Sequence, residues 1–202
     1  MKRPGSLKAE MTQTSLITAA ARILREEGPD RVTYRNVGTA AGLSGSATGY
    51  YFDSIDELLA LAAEQNILRW CRRADEAAQA ATAMTSTECR DHIVDILTKA
   101  CVPHDHRTLR SHYVQLVASA DSPYVTAAYQ RGRSRLNAAI DAITQHAGYE
   151  VSPDLIAAVI DGAIVAALSE GRDVSTSISH TLTDCLRLLP SQPVEASPAV
   201  AG

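Results

Sequence analysis

Residues 33–59 read TYRNVGTAAGLSGSATGYYFDSIDELL and hold three helix starts and one glycine turn within 27 residues. Thr33, Ser44 and Ser54 each precede a short helical run, where a side-chain oxygen can accept a hydrogen bond from a backbone N–H at the helix start. Gly42 can adopt a positive φ and turn the chain sharply after the first run. The pattern predicts a helix-turn-helix whose second helix projects as a rigid rod that can enter a DNA major groove.

A glycine turn alone also fits an ordinary helical hairpin inside a helical core, because such turns are common. The flanking residues help to decide between the two structures. Upstream, apolar residues recur with helical spacing and stop at Gly28, which predicts a first helix packed across the pair. Downstream, Tyr50, Tyr51 and Phe52 bring together three of the nine aromatic residues of the chain. Large rings at this place favour a compact three-helix module.

A longer run of residues extends the pattern on both sides. In order, it contains Ala20-Ala21, Leu24, Gly28, Val32-Thr33, Val37, Ala41-Gly42-Leu43-Ser44, Tyr50-Tyr51-Phe52, Ser54 and Glu57-Leu58-Leu59. The run, from about Ile17 to Leu59, resembles the DNA-binding domain of TetR family transcriptional regulators. The resemblance implies a homodimer that binds a palindromic operator and is released by a small-molecule effector.

The chain departs from the family pattern at three positions. Many members carry Lys or Arg early in the recognition helix and Lys at the start of the fourth helix, where this sequence has Gly45 and Ile55. Gly49 replaces a common Tyr. We therefore expect DNA recognition to depend on other groups.

Length and composition predict an all-α fold. Ala and Leu are abundant and no run of alternating β-branched residues predicts a strand. A chain of 202 residues can hold one small module and one larger helical domain, with about nine helices in total. We expect a flexible tail over 1–9, a helix-turn-helix DNA-binding domain over 10–54, a helical effector-binding and dimerisation domain over 55–190, and a disordered tail over 191–202.

Capping and breaking residues predict the later helices. The fourth helix is expected from Ile55 to about Ala80. A capping box at Thr85 and Glu88 begins the next helix, which ends before Pro103. Further helices begin at Ser122-Pro123 and Ser152-Pro153 and end at Gly148 and Gly171, and the last helix ends at Pro190.

The charge is unevenly distributed along the chain. The net charge is −4, yet residues 1–52 hold seven Lys/Arg against four Asp/Glu. A modest positive charge predicts weak non-specific DNA binding by one subunit, so useful affinity needs two copies. Lys2, Arg3 and Lys8 are expected in a solvated tail that could follow a DNA backbone or minor groove.

Seven residues are the candidate DNA contacts. Arg35 could bind guanine or a phosphate, or pair with a carboxylate on the protein surface. Tyr51 could equally contact phosphate or pack in the core. The candidates are Thr33, Arg35, Ser44, Ser46, Thr48, Tyr50 and Tyr51.

The last two helices are expected to form the dimer interface. Residues 155–168 are apolar on nearly every side, so both faces of that helix are expected to be buried against other helices. Asp161 lies within this segment, and its carboxylate needs a hydrogen-bonding or charged partner there. A twofold partner would complete a four-helix bundle, while burial within one chain is the alternative. The candidates are Leu155, Val159, Ile164, Leu168, Ile178, Leu182, Leu186 and Leu189.

The resemblance implies an effector pocket among the middle helices. The candidates are aromatic or polar groups at apolar helical positions: Trp70, Cys101, His112, Tyr113, Tyr124 and Tyr129, with His104 and His106 nearby in sequence. The spacing of Cys101, His104 and His106 does not match a zinc motif, so no metal and no cofactor is expected.

Other functional classes are less well supported. No nucleophile–base pair or glycine-rich phosphate loop indicates an enzyme. The N-terminal residues do not have the pattern of a signal peptide, and the longest apolar run is too short to span a membrane. The four cysteines form no CxxC motif. We therefore expect a cytoplasmic bacterial protein with reduced thiols. The sequence predicts a ligand-responsive repressor. The alternatives are a TetR-like dimeric protein-interaction module with little DNA affinity and a redox sensor.

Overall fold

The computed structural model describes residues 6–103, 106–118 and 122–190, and within them the prediction of an all-α fold is confirmed. A 3-10 turn, Pro29–Arg31, follows the first helix. The ten α-helices are α1 Leu7–Glu27, α2 Tyr34–Ala40, α3 Gly45–Tyr51, α4 Ile55–Thr82, α5 Ser86–Asp91, α6 Ile93–Cys101, α7 His106–Ala118, α8 Pro123–His146, α9 Pro153–Glu170 and α10 Val174–Arg187.

Four of the predicted helix caps, Thr33, Ser44, Ser54 and Thr85, accept a backbone hydrogen bond through their side chains, whereas Ser152 precedes α9 without one. Thr33 accepts from the Asn36 N–H and Ser44 from the Ala47 N–H, which starts α2 and α3. Thr85 and Glu88 form both hydrogen bonds of a capping box at the start of α5. The helix α1 begins at Leu7, so its first turn lies in the segment 1–9 that the sequence assigns to a tail. Lys2 and Arg3, like residues 191–202, lie outside the described residues.

One predicted helix is two. The segment expected to run unbroken from Thr85 to Cys101 is interrupted at His92, which has φ −107° and ψ 9°. Hydrogen bonds from His92 N–H to Glu88 O (3.1 Å) and from Ile96 N–H to His92 O (3.1 Å) span this point. The prediction of a single helix is therefore wrong in detail, because His92 leaves the helical conformation and separates α5 from α6.

The described residues form two compact units. The first unit comprises residues within 1–69 and 105–132, and so contains α1–α3, the start of α4, α7 and the start of α8. In it, α1 packs against α2 and α7. Its core includes Leu16, Val37 and Phe52, each at most 2% exposed.

The second unit comprises residues within 70–104 and 133–202. Here α9 packs along α10, and α6 contacts both. Its core includes Ile156, Ile160 and Leu182. Among the helices of the described segments, none has the length and hydropathy needed to cross a lipid bilayer.

Candidate nucleic-acid interface

A tight turn joins α2 to α3. Gly42 has φ +74°, a conformation that suits glycine, and the Leu43 N–H donates to Gly38 O at 2.7 Å. A Cβ at Gly38 would lie 2.7 Å from Thr48 Oγ1 and 2.9 Å from two backbone oxygens. Thr48 is fully buried and its hydroxyl donates to Ser44 O at 3.0 Å. The angle between α2 and α3 is thus fixed by close backbone packing, and Thr48 acts inside this junction.

Five of the seven candidate DNA contacts are exposed on α2, α3 and their caps: Thr33, Arg35, Ser44, Ser46 and Tyr50. The Ser44 and Ser46 hydroxyls lie 3.1 Å apart at the start of α3. Tyr50 is 70% exposed, and its ring stands perpendicular to that of the half-buried Tyr51, with centroids 5.7 Å apart. The exposed groups are therefore hydroxyls, one phenol and one guanidinium.

Both glycines of α3 lie against α2. A Cβ at Gly45 would lie 3.3 Å from the Arg35 Cα, which is tighter than most Cβ contacts. A Cβ at Gly49 would lie 3.6 Å from the ring of Tyr34, an ordinary van der Waals distance. Of the two, only Gly45 stands where a Cβ would crowd the backbone of α2.

Acidic residues flank this surface at the start of α4. Burial raises the pKa of Tyr34, and the charges of Glu57, Asp53 and Asp56 raise it further. Glu57 also accepts from the Asp53 N–H at 2.8 Å. Negative charge beside the recognition helix opposes phosphate binding, so the surface is only weakly basic.

A buried glutamine contacts the end of the recognition helix, which the sequence pattern does not reveal. Gln13 on α1 is 6% exposed, and its Nε2 donates to Tyr51 O at 3.3 Å. Gln13 lies one turn before Leu16 on the stripe that α1 buries. A polar residue at that position reads as a surface residue in the sequence.

The candidate dimer residues differ in exposure. Leu155 is 45% exposed and Val159, Leu168 and Leu189 are half-buried. The remaining four are buried within their own chain: Ile164, Ile178, Leu182 and Leu186. One face of α9 is exposed along its length and carries small or apolar side chains; we call it the α9 face, and it consists of Leu155, Ala158, Gly162, Val165 and Ser169.

The effector candidates fall in both units. Trp70 and Cys101 belong to the second unit, and His112, Tyr113, Tyr124 and Tyr129 to the first. The rings of His112 and Tyr113 on α7 are perpendicular, with centroids 5.7 Å apart. Tyr124 is 42% exposed, and its hydroxyl donates to Asp56 Oδ2 at 3.2 Å. Burial raises the pKa of Tyr129.

Charged groups surround Cys101 in the second unit. Desolvation of the thiol, with a smaller contribution from the Asp161 carboxylate, raises the pKa of Cys101 to about 12, against the opposing charges of Arg73 and Arg133. Arg73 Nη2 donates to Cys101 O at 3.4 Å. His104 lies outside the described residues, as does the side chain of His106. In the part of the chain that is described, no three His, Cys, Asp or Glu side chains gather as metal ligands would.

A family model and several solved structures are similar to this chain. The model for bacterial regulatory proteins of the tetR family matches residues 16–62. No curated protein matches.

Three solved structures show the likeness of fold. The multidrug binding protein EbrR, complexed with imidazole, is 20% identical with a TM-score of 0.62 over 90% of this chain and 96% of that one. A putative transcriptional regulator from Saccharomonospora viridis in complex with choline is 17% identical, with a TM-score of 0.69 over 89% and 98%. Reduced NemR from E. coli is 15% identical, with a TM-score of 0.71 over 90% and 100%. Residues 16–62 thus match the model for bacterial regulatory proteins of the tetR family, and the chain as a whole has the same all-helical fold as these solved structures.

Proposed function

We propose that this protein is a ligand-responsive transcriptional repressor without enzymatic activity, which binds a palindromic DNA operator as a homodimer and releases it when a small-molecule effector binds. The observation that carries the proposal is an exposed polar surface on α2 and α3, held by a junction in which Gly38 and Thr48 leave no free space. A rigid projecting helix is what major-groove recognition requires. The chromosome is its target, so it acts in the cytoplasm.

The exposed side chains make different kinds of contact with DNA. Arg35 is the cation on this surface that can donate two parallel hydrogen bonds to guanine. Thr33, Ser44 and Ser46 present hydroxyls to phosphates or base edges, and Tyr50 presents a ring and a phenol. Tyr51 contributes a phosphate contact from its half-buried position. Thr48 contributes through the α2–α3 junction.

The dimer forms through the α9 face. Leu155 and Val165 are 45% and 53% exposed on this face, and nothing lies within 4 Å of a Cβ built at Gly162. Small residues between apolar ones permit a second helix to approach closely. A twofold contact here buries the α9 face and leaves Ile164, Ile178, Leu182 and Leu186 as the support beneath it.

The division of the chain follows from these roles. Residues 10–54 bind DNA, and residues 55–190 bind the effector and form the dimer. Trp70 and Cys101 in the second unit, and His112, Tyr113, Tyr124 and Tyr129 in the first, stay the candidate effector contacts. EbrR and the S. viridis regulator, which share the fold, were each crystallised with a small molecule, and this supports an effector site here.

Selection of bound sequences from random DNA tests DNA recognition. We expect enrichment of one palindrome, and at least about fivefold weaker binding of it by Arg35→Ala, because a good bidentate base contact is worth about 1–3 kcal/mol. Arg131→Ala is the matched control, since Arg131 is also exposed and its loss changes the net charge equally. Enrichment of no palindrome would favour the dimeric protein-interaction module.

A thermal-shift screen tests the effector site. Choline is a sensible first probe because the S. viridis structure contains it, followed by a library of other small molecules. A true effector raises the Tm in a concentration-dependent way and weakens binding of the selected palindrome. A compound that raises the Tm without affecting DNA binding is a ligand but not the effector.

A further inference from the structure

Gln13 is a buried amide in an otherwise apolar stripe. It shares the buried side of α1 with Leu16, Ala20 and Leu24 and is only 6% exposed. Burying an amide costs free energy unless its hydrogen bonds are replaced. A hydrogen bond is therefore the physical reason for a glutamine at this position.

The hydrogen bond from Gln13 ends on the recognition helix. Its Nε2 donates to the carbonyl of Tyr51, the last residue of α3, at 3.3 Å. The last four carbonyls of a helix have no partner within it, and α3 has only seven residues. Gly45 and Gly49 lower the intrinsic stability of α3 further. The C-terminal end of α3 thus depends on tertiary contacts.

The other end of α1 is attached to α4. Asn66 Nδ2 donates to Ala21 O at 2.9 Å, and Asn66 Oδ1 accepts from Arg25 Nη1 at 3.1 Å. Gln65 Nε2 donates to Thr18 Oγ1 at 3.1 Å. Helix α1 is therefore held to α4 at one end and to α3 at the other.

We propose that Gln13 is a positioning residue for DNA recognition, which holds the C-terminal end of α3 against α1 and so sets how the recognition helix lies in the groove. This inference rests on the proposed DNA-binding function. Gln13 adds no charge and touches no base. Its loss lowers discrimination between DNA sequences and leaves non-specific, charge-driven binding unchanged.

Three variants separate the hydrogen bond from packing. Gln13→Met keeps the length of the side chain and suits an apolar stripe, so a role in packing alone predicts no defect. Gln13→Glu places a carboxylate against the Tyr51 carbonyl, and neither group can donate a hydrogen bond to the other. We expect it to lower the protection of the α3 amides and the discrimination between DNA sequences more than Gln13→Met does. Gln65→Met is the matched control, because it removes a hydrogen bond between α1 and α4 without touching α3.

Amide hydrogen exchange of the free protein tests the attachment without DNA. In Gln13→Met, we expect the amides of residues 48–51 to exchange at least about threefold faster, and those of α4 to keep their rates. Gln65→Met is expected to leave the α3 amides unchanged. Unchanged exchange in α3 of Gln13→Met overturns the inference whatever the DNA result.

Binding to the selected palindrome and to a scrambled duplex tests the consequence. We expect Gln13→Met to lower the ratio of the two affinities at least about threefold, with the same affinity and salt dependence on scrambled DNA. An unchanged ratio overturns the role in DNA recognition. If the wild-type protein enriches no DNA, the proposed function fails, and the exchange measurement still decides whether Gln13 secures α3.

Discussion

Two glycines that contact neighbouring helices show how local packing shapes the candidate DNA interface. Gly38 on α2 lies where any Cβ would meet the Thr48 hydroxyl and two backbone oxygens. A Cβ at Gly49 on α3 would meet the Tyr34 ring at an ordinary van der Waals distance. The two positions therefore differ in what a methyl group would do, although both belong to the same pair of helices.

We predict opposite effects for alanine at these two positions. Gly38→Ala is expected to lower the free energy of unfolding by about 1–3 kcal/mol, because the α2–α3 junction must open to admit the methyl group. Gly49→Ala is expected to raise it by about 0.5–1 kcal/mol, because alanine favours the helix. Urea unfolding followed by circular dichroism measures both. Equal effects of the two variants would contradict the packing described at Gly38.

The cysteines offer a second test at this scale. Cys71 and Cys89 are buried, and desolvation raises the pKa of each thiol, as it does for Cys101, whose pKa is about 12. Thiolates are the reactive species. At pH 8 we expect iodoacetamide to modify these three residues at least about 100-fold more slowly in the folded protein than in urea. Rapid labelling of Cys101 in the folded protein would revive the redox-sensor hypothesis.

Residue roles in the candidate site were only partly predictable from the sequence. Side-chain caps act over three or four residues, so Thr33, Ser44 and Thr85 are readable from spacing alone. Thr48 suits both a DNA contact and the helix junction, and only the approach of Gly38 shows that its hydroxyl is buried. The role of Gln13 could not be predicted from the sequence pattern, because its hydrogen-bond partner is 38 residues away along the chain.

At the scale of the helix, local hydrogen bonds define where α5 begins. Glu88 Oε2 accepts from the Thr85 N–H and from the Thr85 hydroxyl, both at 2.9 Å. These two hydrogen bonds hold the pKa of Glu88 below its usual value, with a smaller effect from His92. The charged form of Glu88 therefore stabilises the folded chain.

This shift predicts a pH dependence with a defined sign. The stabilisation is present above the unfolded pKa of about 4.3 and is lost as the pH falls through the lower folded value. Glu88→Gln keeps a capping box without a charge. Between about pH 5 and pH 3, we expect the unfolding free energy of the wild type to fall more than that of Glu88→Gln. Parallel curves for the two proteins would show that the carboxylate makes no such contribution.

At the scale of the whole molecule, the α9 face is the surface through which we propose that two copies meet. The hydrophobic pattern alone places Ile164, Ile178, Leu182 and Leu186 in an interface, yet the chain buries all four against itself. Hydrophobic periodicity predicts that one face of a helix is buried. It does not tell whether residues of the same chain or of a partner chain bury that face. The exposed residues of α9 include small ones, Ala158, Gly162 and Ser169, and only the structure separates this face from the core.

We predict that a charge on the α9 face prevents dimerisation. Val165→Glu would place a carboxylate in the contact, where its desolvation is costly, so we expect self-association to weaken at least about tenfold. Ala80→Glu adds the same charge at an exposed position of α4 and is expected to remain dimeric. Sedimentation equilibrium distinguishes the two. A dimeric Val165→Glu protein would direct attention to the exposed residues of α10.

We propose that one weakly basic recognition surface binds DNA too weakly by itself, so that two copies must bind one DNA site. Residues 1–52 carry seven basic and four acidic side chains, and the remainder of the chain is acidic. The measurement that tests the claim most directly compares binding to the selected palindrome with binding to one of its halves, together with the number of chains on each duplex. We predict two chains on the palindrome and at least about 100-fold weaker binding to the half-site. Equal affinity for both duplexes, with one chain on each, would contradict it.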